Sequence, residues 1–145
     1  MGRLVVFMDW QNVYKRAREC FYGQDDPDFT HGQVWPHRLA QLLCDRVSDQ
    51  GDTDFEVAEI RIYRGAPKND EDPKGYSAFQ RQTSRWMSYN NRVTLIKRDL
   101  VYPKSRTADG VWERNDQPAR EKGVDVSLAV DVVTMGTSCL LYTSD

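Results

Sequence analysis

The stretch RLVVFMDWQNVY, Arg3 to Tyr14, decides how the rest of the chain is read. Leu4 to Met8 form an unbroken apolar run rich in β-branched and aromatic residues, the pattern of a strand buried on both faces of a parallel sheet. The run stops at Asp9. Next comes QNVYKRARECFY, a helix pattern with Val13, Ala17, Cys20 and Phe21 at helical spacing. A strand feeding directly into a helix is the first half of a βαβ unit. Asp9 therefore falls at the carboxyl end of a strand, where open α/β sheets build their sites. Its carboxylate has two uses there. It projects into the crevice at the rim of the sheet, or it caps the helix by accepting N–H bonds from the first turn.

The pattern repeats downstream. WPHRLAQLLCDRVSDQ reads as a second helix with Pro36 near its start and Leu39, Leu42, Leu43 and Val47 as its inner stripe. FEVAEIRIYRG reads as a second strand, its alternation through Val57, Ile60, Ile62 and Tyr63 less clean. YSAFQRQTSRWMSYN is a third helix with Phe79 and Met87 inward, RVTLIKR a third strand, and EKGVDVSLAVDVVTM a fourth helix. The segment from Asp99 to Arg120 reads as long and irregular. Alternating strands and helices predict right-handed crossovers and one parallel sheet.

With 145 residues, 39% of them hydrophobic and 29% charged, the chain fits one folded domain and excludes general disorder. No apolar run is long enough to span a bilayer, so no membrane partner is expected. MGRLVVFMD does not read as a secretory leader. Cys20, Cys44 and Cys139 are scattered and odd in number, which suits a reduced, cytoplasmic compartment and offers no zinc motif. Net charge is −2, which excludes a generally basic nucleic-acid binder. The charge is uneven: Arg92 to Lys122 carry eight Lys or Arg against five Asp or Glu, a local balance of +3.

Two further carboxylates stand in the fourth helix. Asp125 lies in its first turn, where a negative charge also suits the helix dipole. Asp131 lies between valines and needs a cation, a donor or solvent; Arg61 is one such partner. Six residues rotate a helix by about 240°, so Asp125 and Asp131 do not share a face. Val130, Val132, Val133 and Met135 make this helix apolar all round and predict burial on more than one side.

FMDWQNVY, IRIYRG, RVTLIKRDL and EKGVDVSLAVDVV together resemble the NYN domain, in the LabA-like branch of the PIN-like nuclease group, over nearly the whole chain. The resemblance implies a Rossmann-like α/β fold, a parallel sheet flanked by helices. It also implies a carboxylate cluster that binds Mg²⁺ or Mn²⁺ and hydrolyses RNA phosphodiesters. Carried onto this sequence, Asp9 and Asp125 are the expected metal ligands. Asn12 orients a ligand or water, and Asp131 is a flanking acidic group. Lys122 and Arg64 are lesser candidates for contacting phosphates. The alternative is an RNA-binding or regulatory module on the same fold without catalysis. A haloacid-dehalogenase-type phosphatase is disfavoured because Gln11 stands where a second Asp would serve as acid. A dinucleotide-binding fold is disfavoured because no GxGxxG follows the first strand.

Members of this family continue into a strand ending in Ser-Gly-Asp-x-Asp, which this sequence does not reach. The expectation is therefore a domain over residues 1–138, incomplete at its C-terminus, and a foreign tail over 139–145. The codons TGT CTC TTA TAC ACA TCT for Cys-Leu-Leu-Tyr-Thr-Ser resemble a transposon end used in sequencing libraries. Such a chain is expected to be unstable and inactive by itself, with cleavage belonging to its full-length parent.

Overall fold

The computed structural model describes residues 1–142 apart from 24, 29 and 52, with side chains as far as residue 137. The expected tail, 139–145, thus lies outside the described side chains, and 143–145 lie outside the described residues altogether.

The three apolar runs pair side by side as one parallel sheet, β1 (Gly2–Asp9), β2 (Phe55–Ala66) and β3 (Val93–Asp99), in the order β1-β2-β3. Four helices accompany them: α1 (Trp10–Phe21), α2 (Pro36–Gln50), α3 (Pro73–Tyr89) and α4 (Val124–Tyr142). The architecture is α/β, compatible with a Rossmann-like fold. Among the described residues no helix is long and apolar enough to cross a membrane.

Register explains the core. Val6 pairs with Ile60 and Met8 with Ile62, while Ile60 and Ile62 pair with Val93 and Leu95. Residues in register share a face of the pleat. This row packs against Trp10, Ala40, Cys44 and Trp86 from α1, α2 and α3. A bulge shifts the register between Leu4 and Val5, so that Leu4 pairs with Val57 and Val5 with Glu59. The extra residue, Ala58, turns the strand so that Val57 and Ile60, three apart, both reach the core.

Burial on both faces, expected for the first strand, holds for one face. Val6 and Met8 are buried, while Leu4, Val5 and Phe7 are half-buried. The second face of the sheet is polar, carrying Glu59, Arg61 and Thr94, and α4 lies against it through Asp131. Phe7 stacks on Tyr63 there, with centroids 6.2 Å apart.

The inner helix stripes also differ from expectation. In α2 the buried residues are Pro36, Ala40 and Cys44, whereas Leu42, Leu43 and Val47 are exposed. Small side chains let α2 approach β2 closely enough for the Cys44 thiol to donate to the Phe55 carbonyl at 3.2 Å. In α1 the buried residue is Trp10, and Cys20 and Phe21 face outward. In α3 Phe79, Thr83 and Trp86 are buried and Met87 is exposed. The rings of Trp10 and Trp86 meet edge to face at 4.5 Å and join α1 to α3.

The segment expected to be irregular contains a short antiparallel hairpin, β4 (Lys104–Arg106) and β5 (Trp112–Arg114). Gly110 supplies its turn with φ +80°. Along α4, Val126, Val130, Val132 and Val133 are exposed, so the expected burial on several sides is not met among the described residues.

Candidate functional site

Asp9 performs one of its two expected tasks without ambiguity. It is the N-cap of α1: the Asn12 backbone N–H donates to Oδ1 at 3.4 Å, and the Asn12 side-chain amide donates to Oδ2 at 2.9 Å. Residues three apart on a helix face one another, and here the pair fixes the Asp9 rotamer.

The cap leaves Asp9 free to line a cleft as well. A cavity of about 550 Å³ at the carboxyl edge of the sheet is bordered by Asp9, Asn12, Lys15, Glu121 and Asp125. Asp9 reaches it from the end of β1 and Asp125 from the first turn of α4. The chain arrives at α4 through Gly123, whose φ of +80° suits glycine best. Two carboxylates separated by more than a hundred residues of sequence are thus brought together at one rim.

Their electrostatics follow from that placement. The Asp9 carboxyl is held above the ordinary carboxylate range, first by loss of hydration and then by Asp125 beside it, against the lowering effect of the Asn12 N–H. Glu121 is raised too, by burial first and by the charges of Asp9 and Asp125. One oxygen of Glu121 accepts from the Gly65 N–H at 2.8 Å. A Cβ at Gly65 would collide with Leu100 and Glu121, so only glycine lets this strand end pass beneath them.

No family model, no curated protein and no solved structure matches the chain.

The other candidate residues are distributed around it. Asp131 does not line the cleft. Its Oδ2 accepts from the Tyr63 hydroxyl at 2.7 Å and from Arg61 Nη2 at 3.1 Å. Those two bonds, with Tyr63 the larger influence, hold its carboxyl below the ordinary range. Arg61 also pairs with Glu59 at 2.8 Å, which in turn accepts from Thr94 at 2.9 Å. The partner named from the sequence, Arg61, is the observed one. Lys122 points to a neighbouring recess of about 740 Å³ that Lys97, Arg98 and Asp99 also line. This recess and the acidic cleft share Gly123. Arg64 lies largely out of water between α3 and the sheet edge, and burial pulls its guanidinium down to about 10.

Glu121 and Lys15 are not among the sequence candidates, although both line the cleft. Glu121 carried a readable signal: a carboxylate four residues before Asp125, immediately ahead of the glycine turn. Lys15 has the spacing of the Asp9–Asn12 face extended by one residue, a pattern shared by too many surface lysines to stand out.

The donor set suits a hard divalent cation. Mg²⁺ prefers carboxylate and water oxygens and is commonly held by one or two carboxylates with its remaining waters kept. Asp9 and Asp125 offer that pair, and the Asp9 carboxyl is raised by loss of hydration first and by Asp125 after it. Among the described residues no three His, Cys, Asp or Glu side chains close around one point.

Proposed function

We propose that this chain carries the site of a divalent-metal-dependent ribonuclease of PIN-like, NYN type. The observation that supports it most is the meeting of Asp9 and Asp125 at the carboxyl edge of the parallel sheet. Asp9 and Asp125 would hold Mg²⁺ or Mn²⁺, and Asn12 would keep Asp9 aimed through the 2.9 Å amide bond. A bound cation of this kind supplies charge neutralisation on the phosphate and a water of lowered pKa. Lys97, Arg98 and Lys122 line the adjoining recess and suit the neighbouring backbone phosphates of an RNA strand. Asp131 acts through the placement of α4 and not in the cleft.

A second reading, an RNA-binding module without hydrolysis, draws on the lack of a third ligating group among the described residues. Two measurements separate the readings. Mn²⁺ binding to the 145-residue chain, followed by electron paramagnetic resonance, is expected and should weaken at least tenfold in Asp9→Asn and in Asp125→Asn. RNA cleavage, tested in this chain and in a form extended through a Ser-Gly-Asp-x-Asp strand, should require the metal and stop with EDTA. Mn²⁺ binding indifferent to both substitutions would sink the metal-site reading, and RNA retention without cleavage in the extended form would favour the second.

A further inference from the structure

Arg64 is a charged group held largely out of water with few polar partners. Its guanidinium lies over the rings of Phe79 at 4.7 Å and Trp86 at 5.5 Å, and Nη1 donates to Gln82 Oε1 at 2.6 Å. Its buried Nε has no acceptor. Among the described residues it has no carboxylate within ion-pair distance. Taking a guanidinium largely out of water is costly, Glu121 supplies only a longer-range attraction, and an apolar side chain would fill the same space at lower cost. The arrangement makes sense if something arrives to complete it.

There is room for an arrival. Arg64 forms one wall of a cavity of about 360 Å³, with Trp10, Gln33, Leu100 and Glu121 among its other walls. That size falls within the range of small-ligand pockets, roughly 300–1,000 Å³. The cavity adjoins the acidic cleft, with which it shares Gln11, Ala119 and Glu121. Gln82 also donates to Gln33 Oε1, which leaves the Gln33 amide N–H groups for a ligand.

We propose that this cavity binds a nucleobase of the RNA strand beside the acidic cleft, and that it takes guanine in preference to the other bases. The inference rests on the ribonuclease reading for the identity of the strand. The walls decide between base and phosphate. Glu121 would repel a phosphate placed against Arg64, whereas a base presents acceptors to the one and N–H groups to the other. Leu100 offers apolar surface to a flat ring, whereas Trp10, only 3% exposed, adds little. Guanine has O6 and N7 on one edge, the acceptor pair that arginine engages bidentately. Its N1–H and N2–H groups lie on the next edge and suit the Glu121 carboxylate. Adenine and cytosine turn an amino group toward Arg64, donor against donor. Uracil keeps a carbonyl but lacks N7 and the second ring.

The test is titration of the 145-residue chain with GMP, AMP, CMP and UMP in EDTA, followed by calorimetry and tryptophan fluorescence. GMP is expected to bind about tenfold tighter than AMP or CMP, the low end of what one bidentate base contact discriminates. Leu100→Trp fills the cavity and should abolish binding. Glu121→Gln keeps the shape, loses one acceptor and should erase most of the guanine preference. Val133→Glu, on the exposed side of α4 and outside both cavities, should leave GMP binding unchanged. Absence of binding up to millimolar nucleotide, equal binding of GMP and AMP, or GMP binding indifferent to both Leu100→Trp and Glu121→Gln would each overturn the proposal. The two readings fail separately. GMP bound by a chain whose extended form never cleaves RNA removes the nuclease and keeps the pocket. Cleavage of RNA without GMP binding removes the pocket alone.

Discussion

Replacing Asp9 with asparagine separates the two tasks of its carboxylate. Asparagine caps a helix about as well as aspartate, so the bond from the Asn12 backbone N–H survives Asp9→Asn at almost no cost. The Asn12 amide must turn over to offer its oxygen to the new amide, a change open to an exposed side chain. What disappears is a negative charge beside Asp125 and near Glu121. Two unit charges about 4 Å apart repel by about 1 kcal/mol at the dielectric constant of water and about 4 kcal/mol at an effective constant of 20. The cleft is open to solvent, so the lower figure applies. Asp9→Asn should therefore stabilise the metal-free protein by about 1 kcal/mol, or about 3–4 °C in Tm for a chain of this size. Asp9→Ala relieves the same repulsion and loses the cap, worth about 1 kcal/mol, so it should be nearly neutral. The pH dependence fixes the sign. Because the folded-state carboxyl is raised, its favourable contribution is complete below the ordinary carboxylate range and is lost as pH rises through the folded value. The gain from Asp9→Asn should appear at pH 8 and vanish near pH 3. Differential scanning calorimetry of the three proteins in EDTA gives the comparison. If Asp9→Asn melts below the wild type at pH 8, or gains equally at both pH values, the carboxylates do not repel one another and the cleft is no metal seat. Added Mg²⁺ should reverse the order by raising the wild type alone.

Asp131→Ala should lower Tm at neutral pH by removing the acceptor of the Tyr63 hydroxyl and one of the two carboxylates on Arg61, and the difference should fade as pH falls through the depressed carboxyl of Asp131, whose stabilising effect is present only above it. Thermal melts across a pH series check this. Val130→Glu and Val133→Glu should change stability by no more than about 0.5 kcal/mol, because both sites are exposed, while reducing light scattering on heating. A loss of several kcal/mol would show that something covers that face of α4.

The strands and helices were legible in the sequence because each apolar run has the length and the flanks of its element. The placement of Asp9 at the carboxyl rim followed from the same pattern. Inner faces were less legible. In α2 the leucines outnumber Ala40 and Cys44, yet a close helix–strand approach selects small residues, and size complementarity leaves no periodic signal. The imperfect alternation in β2 has a physical cause, the bulge at Ala58, which reverses the inward side of the strand between Val57 and Ile60. The hairpin of β4 and β5 carries its Asp109–Gly110 turn in plain view, but three-residue strands are too short for a period of two to emerge. Around the cleft, Asp9 is placed by the strand pattern, whereas Asn12 and Asp125 enter as candidates only through the resemblance of the motifs. The cavity that Arg64 and Glu121 share depends on the return of a long connection to the sheet edge, which local sequence does not encode.

The bonds from Tyr63 and Arg61 to Asp131 make α4 a lever with its fulcrum on β2. Asp125 rides on the same helix six residues nearer its start, about 9 Å along the axis at 1.5 Å per residue. A tilt of about 5° about the fulcrum would shift the Asp125 end by about 0.8 Å, on the scale at which misplacement of a reacting group costs about a hundredfold in rate. The distance across the cleft thus depends on a phenol and a guanidinium that never enter it, together with the Arg98 bond to Ser127 nearer the start of the helix. A substitution on β2 can change the gap between Asp9 and Asp125 while leaving both carboxylates in place.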